Sequence, residues 1–198
     1  MYSLILDSAN KDLVVSLAKD NEIIEEINYE AWQRQSELMI PEIEKILKKN
    51  KVDPKEINEI LVTKGPGSYT GVRIALTIAK VYAYLLNFPV YAFSSLKALE
   101  DPDNTSICLI NARSSRSYVA IYSKNKCLLE DQIMTNQQVI ELIKNHETYS
   151  VCGDIGYLNA DFRINHKETD LSKNLLALKN DDDLVKNILS LKAVYLKD

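Results

Sequence analysis

Apolar-rich runs at residues 2–6, 13–18 and 22–27, separated by polar turns at 7–12 and 19–21, predict a meander of three short strands. A helix is predicted to follow from Gln35 or Ser36. Met39, Ile40, Ile43, Ile46 and Leu47 fall on one face, Pro41 lies near the first turn, and Lys48-Lys49-Asn50 supply an ending suited to the C-terminal dipole. Asp53-Pro54 caps a short turn over 52–58, and 59–63 reads as a strand. A turn from Gly65 to Gly71, with three of the chain's five glycines, then opens into a long helical pattern that Asn87 and Pro89 terminate. Residues 90–93 predict another strand and 94–99 a short helix, and the polar run 101–104 marks a boundary between lobes 1–100 and 101–198.

At about 100° per residue, the long helix has two apolar stripes. Val72, Ala75, Leu76, Ala79, Ala83 and Leu86 form one; Ile74, Ile78, Val81 and Leu85 form another, nearly opposite, with Arg73, Thr77, Lys80 and Tyr84 between them. The alanine-rich stripe suits close packing on a sheet, so the second must meet another layer of the fold or another protein. The glycine turn also admits two readings. Backbone amides at the helix start, helped by Ser68 and Thr70, can hold a phosphate, or the turn is a tight structural one capped by Ser68 or Tyr69. It is neither a P-loop nor G-x-G-x-x-G.

The second half repeats the first. With Asp7 placed on Asn111, residues 14–17 fall on 118–121, Asn21 on Asn125 and Glu26 on Glu130. A helix over 136–144 and a strand over 150–153 complete the same order, and 171–178 and 184–191 read as short helices before the ending Val194-Tyr195-Leu196-Lys197. Duplicated β-β-β-α-β lobes predict an α/β protein of the actin-like (ASKHA, ribonuclease H-like) class. ATPases of that architecture place a carboxylate at the end of the first strand of each lobe. Here those positions are Asp7, followed by Ser8-Ala9-Asn10, and Asn111. An amide neither takes a proton nor neutralises a metal, which argues against phosphoryl transfer within this chain. Asp7 is read either as a turn cap or as a cleft group, and Arg113 as an anion ligand or the partner of a carboxylate. The rival reading is a small ATPase or kinase using Asp7 and the turn from Gly65 to Gly71.

The 198 residues carry a formal charge of −4, which argues against a chain that grips nucleic acid by itself. Cys108, Cys127 and Cys152 lie in apolar runs without a C-x-x-C pair and read as buried thiols. His146 and His166 lack metal-pair spacing, so no intrinsic metal is expected. The short apolar run before Asp7 is neither a signal peptide nor a membrane span and points to the cytoplasm.

The start Leu6-Asp7-Ser8, the segment Gln35-Ser36-Glu37-Leu38-Met39-Ile40-Pro41, the run Gly65-Pro66-Gly67-Ser68-Tyr69-Thr70-Gly71-Val72-Arg73-Ile74, Asn111-Ala112-Arg113 and the terminal Tyr195-Leu196 together resemble the bacterial TsaB (YeaZ) family. That family belongs to the machinery that makes threonylcarbamoyladenosine in tRNA. The resemblance implies a non-catalytic partner, similar in fold to the transferase TsaD but without its histidine metal ligands, acting beside TsaD and the ATPase TsaE and meeting tRNA indirectly. It argues against a peptidase. It also implies association through the first and long helices, with TsaD or as a homodimer, and ATP or ADP with Mg²⁺ only at the joint complex. The expected interface residues are Met39, Ile43, Ile46, Ile74, Ile78, Val81 and Leu85; Asp7, Gly67, Ser68 and Arg113 are the candidates for nucleotide or anion contact. The chain departs from the family at Gln35, where His is common, and at Asn111, where Asp is common.

Overall fold

The computed structural model describes residues 1–196. Lys197, part of the expected ending, and Asp198 lie outside the described residues. The predicted meander forms as β1 (Tyr2–Asp7), β2 (Asp12–Lys19) and β3 (Glu22–Glu30), followed by α1 (Gln35–Asn50), β4 (Ile57–Thr63), α2 (Tyr69–Leu86) and β5 (Val90–Phe93). These strands form one sheet in the order β3-β2-β1-β4-β5, with β1 antiparallel to β2 and parallel to β4. The second half supplies β6 (Ser106–Arg113), β7 (Arg116–Ser123), β8 (Lys126–Thr135), α3 (Asn136–Asn145), β9 (Ser150–Gly153) and the two-residue β10 (His166–Lys167). Its sheet order, β10-β9-β6-β7-β8, is the first order read from the other end, with the same parallel and antiparallel pairings. The duplicated β-β-β-α-β unit of the actin-like, ribonuclease H-like α/β fold is thus present in both halves, while the helix α2 between β4 and β5 has no counterpart between β9 and β10.

The repeat extends to single turn residues. The β2–β3 and β7–β8 hairpins both turn through two left-handed residues, Asp20-Asn21 and Lys124-Asn125, and both asparagines sit at φ 65°, the conformation that a tight hairpin demands and that Asn tolerates.

Alternation along β1 decides which layer covers each face of the first sheet. Leu4 and Leu6 join Met39, Ile43 and Ile46 of α1 and Val72, Ala75 and Ala79 of α2 in one core. Ile5 faces the other way, toward Leu61, Phe93 and the residues Leu175 and Leu178 of α4 (Leu171–Leu178). The helix predicted over 171–178 therefore forms where expected in sequence, but on the first sheet. The domain division expected at 100/101 runs against this packing. Lys179 donates to Glu59 at 2.7 Å, and Val185, Ile188, Leu191 and Ala193 all lie on the first core.

The helix expected over 184–191 does not form. Leu184 makes an isolated bridge to Tyr91, the Val185 amide donates to Val90 O, and only Ile188–Ser190 makes one 3-10 turn. The segment spends its backbone groups on the edge of β5 and on Lys80, whose ammonium donates to Leu189 O and Leu191 O. Pro41 lies deeper in α1 than expected, in its second turn. It removes the amide that would bond the Glu37 carbonyl, on a stretch exposed to solvent. Cys108 and Cys152 are buried as expected, whereas Cys127 is exposed on the edge strand β8.

Candidate functional site

The α2 helix owes its start to the glycine turn. Ser68 caps it, its hydroxyl accepting from the Gly71 amide at 3.2 Å, and Asn87 ends it in the left-handed conformation. The turn is filled by protein. The Ser68 amide donates to Ala9 O at 2.7 Å, Ser8 Oγ donates to Gly71 O at 2.7 Å, and a Cβ at Gly67 would stand 2.3 Å from Ala9 O. Of the two sequence readings, the geometry supports the tight structural turn. Gly67 and Ser68 are used against the loop after β1, and no residue from Gly65 to Gly71 is among those lining the cleft between the lobes.

The alanine-rich stripe of α2 is buried on the sheet, so the opposite stripe faces out: Ile74 and Ile78 are half-buried, Val81 is 48% exposed and Leu85 71% exposed. Met39, Ile43 and Ile46, expected at the same interface, are each 0% exposed. The stripe they share with Leu47 is the one α1 needs to cover its own sheet, so these three are core residues. The α1 residue that does reach the outer face is Ile40, 53% exposed. The wheel groups Ile40 with Met39, Ile43, Ile46 and Leu47, but it stands at the margin of that face, and only the tertiary packing leaves it uncovered. Ser36, Ile40, Tyr69, Thr70, Arg73, Ile74, Thr77 and Ile78 line an apolar groove of about 390 Å³ between the two helices.

The second concave region, about 590 Å³, lies between the sheets, with Asp7, Lys11, Asp12 and Asn28 on one side and Ile110, Gly153, Asp154 and Gly156 on the other. Asp7 is 4% exposed and accepts from the Thr63 hydroxyl and the Ala9 amide through the same oxygen, Oδ1. Burial outweighs these two donors and pushes its carboxyl up from 3.8 to about 6. The folded state therefore binds one more proton than the unfolded chain between those values, and stability should fall as pH rises through that window. Asp7→Asn keeps the acceptor for Thr63 and Ala9 and removes the buried charge. It is expected to be more stable than wild type by about 3 kcal/mol at pH 7.5 and equal to it below about pH 4, in urea melts across pH.

The residues an actin-like nucleotide site would require do not converge. Asn111 is absent from the cleft lining, and its Oδ1 accepts from the Arg113 amide at 2.9 Å, capping the turn through Ser114-Ser115. Among the described residues Arg113 meets no carboxylate, and it does not line the cleft. Its guanidinium lies 4.9 Å from the ring centre of Trp32, across the lobes. His146 and His166 contact the backbone oxygens of Leu142 and Gly153. Among the described residues no three His, Cys, Asp or Glu side chains are grouped to hold a metal ion, and no helix is long and apolar enough to cross a membrane.

The family model of TsaD, tRNA N6-adenosine threonylcarbamoyltransferase, matches residues 27–155. The tRNA threonylcarbamoyladenosine biosynthesis protein TsaB of Bacillus subtilis is 33% identical over 71% of this chain and 62% of its own length, so the chain spans less than two thirds of that relative. The MG208 homologue of Mycoplasma pneumoniae, an uncharacterized protein, is 30% identical over the whole chain and 95% of its own. YeaZ from Pseudomonas aeruginosa superposes with a TM-score of 0.81 at 20% identity, covering 98% of this chain and 99% of its own, which shows a shared fold. With the matching family model, the near full-length relative and the common fold in agreement, the chain belongs to the TsaB (YeaZ) family, whose members are named for the biosynthesis of threonylcarbamoyladenosine in tRNA.

Proposed function

We propose that this chain is a non-catalytic partner of the transferase TsaD in forming threonylcarbamoyladenosine beside the anticodon of tRNA. The observation that carries the reading is the outward stripe Ile74, Ile78, Val81 and Leu85, joined by Ile40, on a helix whose other stripe is already buried. An apolar face of this kind is costly on a free monomer and is accounted for by a partner helix surface. Self-association through the same face is the homodimeric state of the free chain.

Catalysis is assigned to the partner because Asn111 stands where a second carboxylate would act and the glycine turn is filled by the Ala9 and Ser8 carbonyls. ATP or ADP with Mg²⁺ enters only at the joint complex with TsaD and TsaE, and tRNA is met through that complex, in the cytoplasm.

The test is reconstitution with the TsaD, TsaE and tRNA of the same cell. The chain should co-purify with TsaD, and modified tRNA should accumulate only when both are present, with no Mg²⁺-dependent ATP turnover by this chain alone. Modification at the same rate without the chain would overturn the reading, as would ATP turnover by the isolated chain that Asp7→Ala abolishes.

A further inference from the structure

The docking face carries one cation, held in a fixed pose. Arg73 leaves α2 beside the groove, and its guanidinium lies 3.9 Å from the ring centre of Tyr69 and 5.6 Å from that of Tyr195. The two rings stack at 4.9 Å, and Arg73 Nε donates to the Tyr195 hydroxyl at 2.7 Å. Tyr195 is itself anchored, since the preceding Val194 amide donates to Lys64 O at 2.7 Å. Ring and hydroxyl thus account for the face and the Nε edge of the guanidinium. Among the described residues no carboxylate pairs with it, and Arg73 is exposed, so its terminal N–H groups are left for a bidentate acceptor.

We propose that Arg73 is the charged anchor of this face and selects a partner helix that brings a carboxylate into the groove. The inference rests on the docking reading above and names the chemistry of its occupant. A second copy of the chain brings no unpaired carboxylate from these elements. The groove lining contains no Asp or Glu, and the carboxylates of α1 are engaged: Glu37 with Arg34, Glu42 with Lys45 and Tyr29, and Glu44 with Lys48. Charge complementarity therefore favours a heterologous partner over the homodimer.

Calorimetric titration of the full chain with the transferase partner at low and at high salt, together with sedimentation of the chain alone, tests this. Arg73→Gln should weaken the heterologous complex about tenfold and flatten its salt dependence, and should leave self-association as strong as in wild type or stronger. Tyr195→Phe, which keeps both rings and the charge but loses the Nε bond that fixes the pose, should weaken the complex less than Arg73→Gln and keep the wild-type salt dependence. Equal binding by wild type and Arg73→Gln at both salts would overturn the anchor alone, as would a loss in Arg73→Gln that leaves the wild-type salt dependence intact, which marks the effect as structural. No binding by the wild-type chain would overturn the docking reading and the anchor together.

Discussion

Gly71→Ala is expected to cost about 3 kcal/mol or more of stability, although Ala is the better helix former. Gly71 lies in the first turn of α2, and a Cβ there would stand 2.0 Å from Ser8 O and 3.2 Å from the Ser8 carbonyl carbon. Both atoms are backbone, so no rotamer change relieves the clash. The Ser8 side chain in turn donates to Gly71 O at 2.7 Å, which ties the loop after β1 and the start of α2 together from both sides. Relief therefore requires α2 to separate from the first strand, with loss of the packing of Val72, Ala75 and Ala79 on the sheet. The check is a urea midpoint measured beside Thr70→Ala, an exposed neighbour expected to change stability by no more than about 0.5 kcal/mol. A wild-type midpoint for Gly71→Ala would mean that the loop yields and that the glycine is not there for close approach.

Val81→Glu combined with Leu85→Glu is expected to abolish measurable association with the transferase, by at least about 100-fold, since each carboxylate would be desolvated in an apolar contact without a partner. Both side chains are exposed in the single chain, so the fold should be kept, with a thermal midpoint equal to that of wild type diluted below its self-association. Ile43→Glu is the contrast. Ile43 is fully buried between α1 and the first sheet, and the same charge there should unfold the protein rather than release a partner. Retained association by the folded Val81/Leu85 double variant would remove the outward stripe from the interface.

The contrast between Ile43 and Val81 marks what periodicity can carry. A wheel identifies stripes, and for α2 the alanine-rich one was correctly assigned to the sheet because small side chains allow backbones to approach. For α1 the Met39, Ile43 and Ile46 stripe was placed at the partner face, although a helix on a sheet must spend its one strong stripe on that sheet. The duplication was legible down to Asn21 and Asn125 because turn chemistry depends on a few neighbouring residues. The final segment was not. Val185, Ile188 and Leu191 carry helix-like spacing, yet the free edge of β5 and the ammonium of Lys80 offered their backbone other partners.

Local sequence thus determined the order of strands and helices as far as β9, the repeated lobe, the capped start of α2 and the amide at position 111 that removes a second carboxylate. Each depends on residues close together in the chain, where pattern, cap and turn residue agree. Tertiary structure alone decided that the chain after 170 returns to the first lobe, that Ala9 O occupies the glycine turn, that Ile40 rather than Met39 faces outward, and that Tyr195 holds Arg73 across 122 residues of sequence. Those outcomes turn on which surfaces remain uncovered once the sheets have formed, a competition among segments distant in sequence that no local window contains.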